Sequence, residues 1–289
     1  MITNTGKNLV VRYLAGVAPT FAGEIAVGVG FTENDTNTNT LDFEIARYEI
    51  VGGAMLGTEN KVVYQTTVTD AQDYIIGEIG LYPSVTRTTI TSYRTNLVSY
   101  FEPDSGLTLS NAAFVSRDTA GQSSKIRIGK QAIELTTTNS MVTVPIKEQY
   151  SQFSALDKIK LAMVGHDTSG SFNIELKIYD NSSTTPMSII LDSTDTANVT
   201  IKSDTVTPYK YIIASKLIGT QTVDFSSILK IEVINKSSNP VIIDGLKFEE
   251  IDGLSPFNSL VSRQKLSTLK TKSIGSPMDI EYQFGIAFG

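Results

Sequence analysis

The sequence predicts a mainly β protein: a small α+β domain, with one N-terminal helix and antiparallel strands, interrupted by a β-sandwich of jelly-roll type. Three observations lead there. Residues 1–102 read as a helix followed by strands, and the last eleven residues alternate as one more strand of the same kind. Between them, roughly residues 103–252 form a Ser/Thr-rich block of short strands with no helical period. The expected domains are therefore 1–102 plus 253–289, and 103–252 as an insert.

Residues 5–16 carry the helix. Thr5 is placed to cap it, Leu9, Val10, Tyr13 and Leu14 share a face, and Gly16 can end it in the left-handed conformation, with Pro19 beyond. Ile25, Val27 and Val29 then alternate with Ala26, Gly28 and Gly30, a strand with one face small enough for close backbone approach. Residues 31–40 are polar and loop-like. Further strands are expected at 42–51, 60–69, 74–82 and 96–101. A bulge is expected near Ala46, where the apolar side switches from Leu41, Phe43 and Ile45 to Tyr48 and Ile50.

At the far end Met278, Ile280, Tyr282, Phe284, Ile286 and Phe288 alternate without a break. Such a face needs a sheet to join, either that of the first domain or that of the insert. Residues 253–277 hold Arg263, Lys265, Lys270 and Lys272 among Ser and Thr, and read as an exposed, extended connector. In the insert, strands are expected at 125–136, 140–147, 158–164, 172–179, 187–191, 197–203, 208–217, 228–235 and 240–250. Turn signals at 167–170, 180–183 and 236–240 separate several of them, which is the spacing of a sandwich. No fixed-period repeat is visible, which disfavours a solenoid or propeller.

The chain has 289 residues, 40% of them hydrophobic, enough for one or two globular domains with real cores. It contains no cysteine, which excludes disulfides and thiolate metal sites. The N-terminus has no long apolar core of a signal peptide and no 18-residue apolar run occurs, so synthesis in the cytoplasm without membrane insertion is expected. The 24 basic and 30 acidic side chains give a net charge of −6. The ends hold 10 and 13 of these and the middle 14 and 17, about −3 each, so no basic face is concentrated for nucleic acid.

Sites of chemistry are sought without success. The single histidine, His166, stands beside a turn signal, and no G-x-S-x-G elbow frames a serine for it. Gly52 to Thr58 superficially resembles a phosphate loop but places Thr58 where a Walker loop needs lysine. Asp192, Asp195, Asp204 and Asp244 could contribute to a calcium site, although solvated loop carboxylates explain them better and no EF-hand loop exists. The sequence has no tryptophan, so stacking of a sugar would fall to Tyr150, Phe153, Tyr179, Tyr209 or Tyr211, residues that serve equally well in a core or an interface. The sequence assigns no catalytic, cofactor-binding or metal-ligating residue and no ligand-binding set.

Two stretches carry a resemblance. Ile2-Thr3-Asn4-Thr5-Gly6-Lys7 with the following helix, and Glu24-Ile25-Ala26-Val27-Gly28-Val29-Gly30, resemble the N-terminal attachment domain of tailed-phage tail fibres and related minor tail proteins. Tyr74 to Tyr82 is similar to that family's later strand, and Met278 to Phe284 to the terminal strand of phage minor structural proteins. The segment Ile242 to Glu249 resembles the last strand of carbohydrate-binding jelly-roll modules. The chain lacks the repetitive shaft of a full fibre. The resemblance thus implies a non-enzymatic virion protein of the tail tip or baseplate, docking on other virion proteins as a homo-oligomer and projecting a sandwich toward the host surface. Capsid decoration or a head fibre is the alternative location, and a receptor-recognition module for a host-surface glycan the alternative class. A polysaccharide-degrading enzyme would need a carboxylate pair in a groove, for which the sequence carries no signal.

Overall fold

The first turn of the helix is set by a strand from the other end of the chain. In the computed structural model, which describes residues 1–18, 20–56, 61–69, 73–83, 96–99, 101, 106–118, 125–146, 158–165, 171–182, 185–206, 209–219, 222–249 and 259–285, helix α1 spans Asn4–Leu14. Its cap is Thr3, not Thr5: the Thr3 Oγ1 accepts the Gly6 N–H at 2.9 Å. Thr3 is fixed there because its own N–H donates to Val261 O at 2.9 Å and Ile2 bridges Ser262, so the chain turns into the helix early. Gly6 lies against the Val261 backbone, where a Cβ would collide. Gly16 ends the turn at φ +71°. The expected helical face is corrected: Leu9 is buried, Tyr13 is edge-on to Phe21, and Leu14 points to solvent.

Nineteen strands lie among the described residues. The first five are β1 (Glu24–Gly28), β2 (Glu44–Glu49), β3 (Gly52–Leu56), β4 (Lys61–Val68) and β5 (Tyr74–Tyr82). Then come β6 (Asn96–Ser99), β7 (Thr108–Ser110), β8 (Ala112–Ser116), β9 (Gln131–Leu135), β10 (Met141–Pro145), β11 (Lys158–Gly165) and β12 (Asn173–Asp180). The last are β13 (Met187–Asp192), β14 (Val199–Val206), β15 (Tyr209–Leu217), β16 (Ile228–Asn235), β17 (Val241–Glu249), β18 (Ser262–Lys272) and β19 (Met278–Gly285). The protein is mainly β, and every strand pair is antiparallel. Among the described residues no helix is long and apolar enough to cross a membrane.

The chain forms two compact units, Met1–Ile90 with Gly253–Gly289, and Thr91–Asp252. The split unit has a four-stranded sheet in the order β18-β5-β1-β2 and a three-stranded sheet β19-β4-β3. The bulge expected near Ala46 is present: Val27 pairs Ala46 and Gly28 pairs Glu44, leaving Ile45 as the extra residue. β19 pairs β4 from Met278↔Val68 to Gly285↔Lys61 and buries Ile280, Tyr282 and Phe284, while Ile286 and Phe288 lie outside the described residues. Gly52–Leu56 is strand β3. One expectation fails here: part of the expected exposed connector is β18, laddered on β5 with Arg263 and Lys272 buried, while Lys270 is exposed as expected. The Arg263 charge is neutralised inside by Asp42 and Glu78.

The second unit is a β-sandwich. One sheet runs β13-β12-β16-β10-β7; the other, seven-stranded, runs β14-β15-β11-β17-β9-β8 with β6 also on β17. Alternation on β12 sends Ile174, Leu176 and Ile178 into one apolar cluster with Ile231 and Val233 of β16, Ile159, Leu161 and Met163 of β11, and Ile243 and Leu246 of β17. The sequence places β6 in the first domain, but it pairs β17 through Asn96↔Phe248 and Leu97↔Lys247, so the sandwich begins before residue 103. β7 and β8 are additions to the expected strands. They belong to different sheets and are separated by Asn111 alone, at φ +50°.

Candidate binding face

Three polar constellations stand out, two closed and one open. The first is in the split unit. Glu78, on β5, accepts the Gly30 and Phe43 N–H groups on Oε1 (3.1 and 2.9 Å) and the Asp42 N–H on Oε2 (3.0 Å). Arg263, from β18, places Nη2 2.8 Å from Glu78 Oε2 and 2.7 Å from Asp42 Oδ2. Asp42 also takes the Thr32 N–H and hydroxyl. Burial pushes Glu78 above the usual carboxylate range, the neighbouring Asp42 charge adds to this, and Arg263 and the backbone donors oppose it. A Cβ at Gly28 or Gly30 would strike the Glu78 side chain, so these glycines serve a carboxylate of the protein and not a phosphate.

The second lies in the seven-stranded sheet. Asp244 is the extra residue of a bulge, since Ala162 pairs Gly245 and Met163 pairs Ile243. Its Oδ2 accepts the Tyr211 hydroxyl at 2.5 Å and the N–H groups of Arg127 and Ile128 at 2.9 and 3.1 Å. The Arg127 guanidinium sits 4.3 Å over the Tyr211 ring and bonds Asp204 Oδ2 at 2.6 Å. Burial pushes Asp244 up to about 7 against the pull of the Tyr211, Arg127 and Ile128 bonds. Burial, then the Asp244 charge, drives Tyr211 well above its ordinary value. Both carboxylates hold backbone in place, and neither is open to a ligand.

The third is the outer side of the five-stranded sheet. The alternation that buries Ile174, Leu176 and Ile178 turns Asn173, Glu175, Lys177 and Tyr179 outward, half-buried. Tyr179 pairs Lys230 across the ladder; its hydroxyl donates to Glu232 Oε2 at 2.7 Å, and Lys230 Nζ donates to Glu232 Oε1 at 2.7 Å while lying 4.3 Å over the ring. Ser188 donates to Glu175 at 2.8 Å, and Lys236 lies 3.5 Å from the same carboxylate. Burial and then the Glu232 hydrogen bond push Tyr179 up to about 12. Burial opposes ionisation of Glu232, but the hydrogen bonds from Lys230 and Tyr179 outweigh it and hold that carboxyl below its usual range. Lys230 covers one side of the ring and the polar groups pair with one another, so a polyhydroxylated ligand would bind here by exchanging hydrogen bonds with Lys230, Glu232 and Glu175.

Of the aromatic residues proposed from sequence for stacking, Tyr179 is the one among the described side chains that reaches such a face. Tyr211 is buried, Tyr150 and Phe153 lie outside the described residues, as does His166, and so does the side chain of Tyr209. The four aspartates do not converge. Asp192 turns onto Thr194, Asp195 onto Asn198 and Lys216, Asp204 onto Arg127, and Asp244 is inside. Among the described residues no cluster of three metal-ligating side chains occurs. Sequence reading misses Glu175, Lys230 and Glu232. The available signal is the unbroken polar-or-aromatic series at 173, 175, 177 and 179.

No protein-family model matches the chain, and no curated protein does. Among the solved structures it resembles are carbohydrate-binding modules. One, from Clostridium stercorarium in complex with cellobiose, is 15% identical with a TM-score of 0.32, covering 55% of this chain and 95% of that one. The family 11 module of a Clostridium thermocellum cellulase is 12% identical with a TM-score of 0.32, covering 55% and 96%. A module specific for non-crystalline cellulose is 10% identical with a TM-score of 0.36, covering 55% and 96%.

Proposed function

We propose that this chain is a non-enzymatic structural protein of a tailed-phage particle, in which the split unit is the mount and the inserted β-sandwich the part that meets the host surface. The observation that supports the mount-and-module part of this reading is the insertion: residues 1–90 and 253–289 make one unit, and a sandwich with its own core is spliced into it; the assignment to a phage particle rests on the resemblance of residues 2–7, 24–30, 74–82 and 278–284. Such an arrangement suits a binding module carried by a holder. The buried carboxylates Glu78, with both oxygens on backbone N–H groups, and Asp244, with Oδ2 on two of them, support a structural rather than a catalytic role. The test is gold-labelled antibody against the sandwich on intact particles. Label at the tail end supports a baseplate or tail-tip location, label over the capsid moves the protein to a decoration role, and unlabelled particles overturn the reading. Release of new reducing ends from host envelope polysaccharide would overturn its non-enzymatic part.

A second reading, recognition of a surface glycan, is favoured by the face around Tyr179. Titration against a panel of neutral oligosaccharides should find a binder whose affinity drops about tenfold or more in Tyr179→Ala, the equivalent of about 1.4 kcal/mol. Equal binding by the variant would remove this face from consideration.

A further inference from the structure

The split unit presents an apolar stripe and a groove of opposite charge. On α1, Lys7, Val11 and Leu14 follow one another at i, i+4 and i+7, on the side away from the buried Leu9. Val11 and Leu14 are 64% and 72% exposed, and Val17, just past the helix, is 63% exposed. A surface helix ordinarily turns such side chains inward, and an outward aliphatic stripe marks a contact surface. Its charged neighbours are cations, Lys7 and Arg12, with no acid in the first turn.

The groove, of about 290 Å³, lies at the β4–β19 ladder, with Val51 and Ile280 in its lining and the carboxylates of Asp279 and Glu281 beside them. Val51 is 76% exposed. The hydrogen bonds these carboxylates accept come from neutral groups, the Thr67 hydroxyl at 2.8 Å and the Gln65 amide at 2.9 Å. They can therefore still take a cation.

We propose that the α1 stripe of one copy seats on this groove of the next, with Val11 and Leu14 against Val51, and Lys7 toward Asp279 and Glu281. The complementarity is apolar to apolar and cation to anion, and this chain alone supplies both halves. Because stripe and groove are different surfaces, the contact is either made twice in a two-fold dimer or repeated head to tail in a ring or open array, and the stoichiometry by sedimentation tells the two apart. The inference rests on the reading of the split unit as the part that assembles, and it names the partner as a second copy.

The chain has no cysteine, so introduced pairs report one contact at a time. Lys7→Cys and Glu281→Cys are prepared separately, then oxidised alone and mixed. A disulfide-linked dimer in the mixture only is the expected result. Sedimentation should show self-association of the wild type, weakened about tenfold or more by Leu14→Glu with an unchanged circular dichroism spectrum. Lys7→Glu should weaken it as well, and Lys7→Glu with Glu281→Lys should restore it. Self-linking of Lys7→Cys alone would overturn the stripe-to-groove pairing. Oligomers without cross-linking in the mixture would overturn this surface while sparing the mount reading. A wild type that stays monomeric at all concentrations would overturn the inference, and particle labelling would then decide the mount reading by itself.

Discussion

Each unit holds a buried carboxylate that gathers backbone N–H groups, but the two are balanced differently. Glu78 of the split unit meets Arg263 directly, and the same guanidinium reaches Asp42. Asp244 of the sandwich has a phenol and two backbone donors on Oδ2, while Oδ1 is buried with no hydrogen-bond partner among the described residues. Its nearest guanidinium, Arg127, is directed to Asp204 at the surface. The first arrangement ties residues more than two hundred positions apart, so it closes a unit built from both ends of the chain. The second holds the backbone of residues 127–128 against β17 within one continuous stretch of chain. A buried charge that must hold a split unit together carries its counter-ion with it, whereas one that trims a loop can rely on dipoles and on taking up a proton.

The sharpest way to break the comparison is Arg263→Ala. It leaves Glu78 and Asp42 as adjacent buried acids, and a loss of about 3–5 kcal/mol is expected. Calorimetry should show the split unit melting early while the sandwich transition holds; a loss shared equally by both would contradict the separation drawn here. Next comes pH. Asp244 has a folded-state pKa of about 7 against an ordinary 3.8, so it binds its proton more tightly when folded. Its penalty is absent below pH 4 and grows as pH rises to 7. Sandwich stability should therefore fall across that window by up to about 4 kcal/mol, each tenfold difference in proton affinity being worth about 1.4 kcal/mol. Asp244→Asn should flatten that slope, seen as a sandwich melting temperature that no longer drops between pH 4 and 7. The smallest effect belongs to Asp204→Ala. Its carboxylate is partly exposed but its partner Arg127 is buried, so losing the pair should cost about 1–3 kcal/mol by denaturant titration, less than the loss at Arg263.

These contrasts also mark what is legible in the sequence. Strict alternation exposes β12 and β19, because each has one buried and one open face and period two is local information. The phase switch around Ala46 reveals a bulge for the same reason. β18 escapes because Arg263 and its neighbouring lysines read as solvated, and only the partners at Asp42 and Glu78 make a buried arginine tolerable. The insertion can be read from a change in texture, but β6 cannot be assigned to its side, since four residues reveal nothing of pairing with Lys247 and Phe248. At the candidate face, Tyr179 is visible as an aromatic residue. Its partners Lys230 and Glu232 lie about fifty residues on and come to it through strand register, which composition does not encode.

Asn111 has a mechanical consequence. A stretch of chain that ladders in one sheet as β7 and, one residue later, in the other as β8 ties the two sheets like a shear pin. Sliding one sheet over the other must strip both short ladders together, so the sandwich resists shear at this edge better than three- and five-residue strands would suggest. The pin depends on a side chain that accepts φ +50°. A β-branched residue there would strain the corner and let the two sheets slip under load.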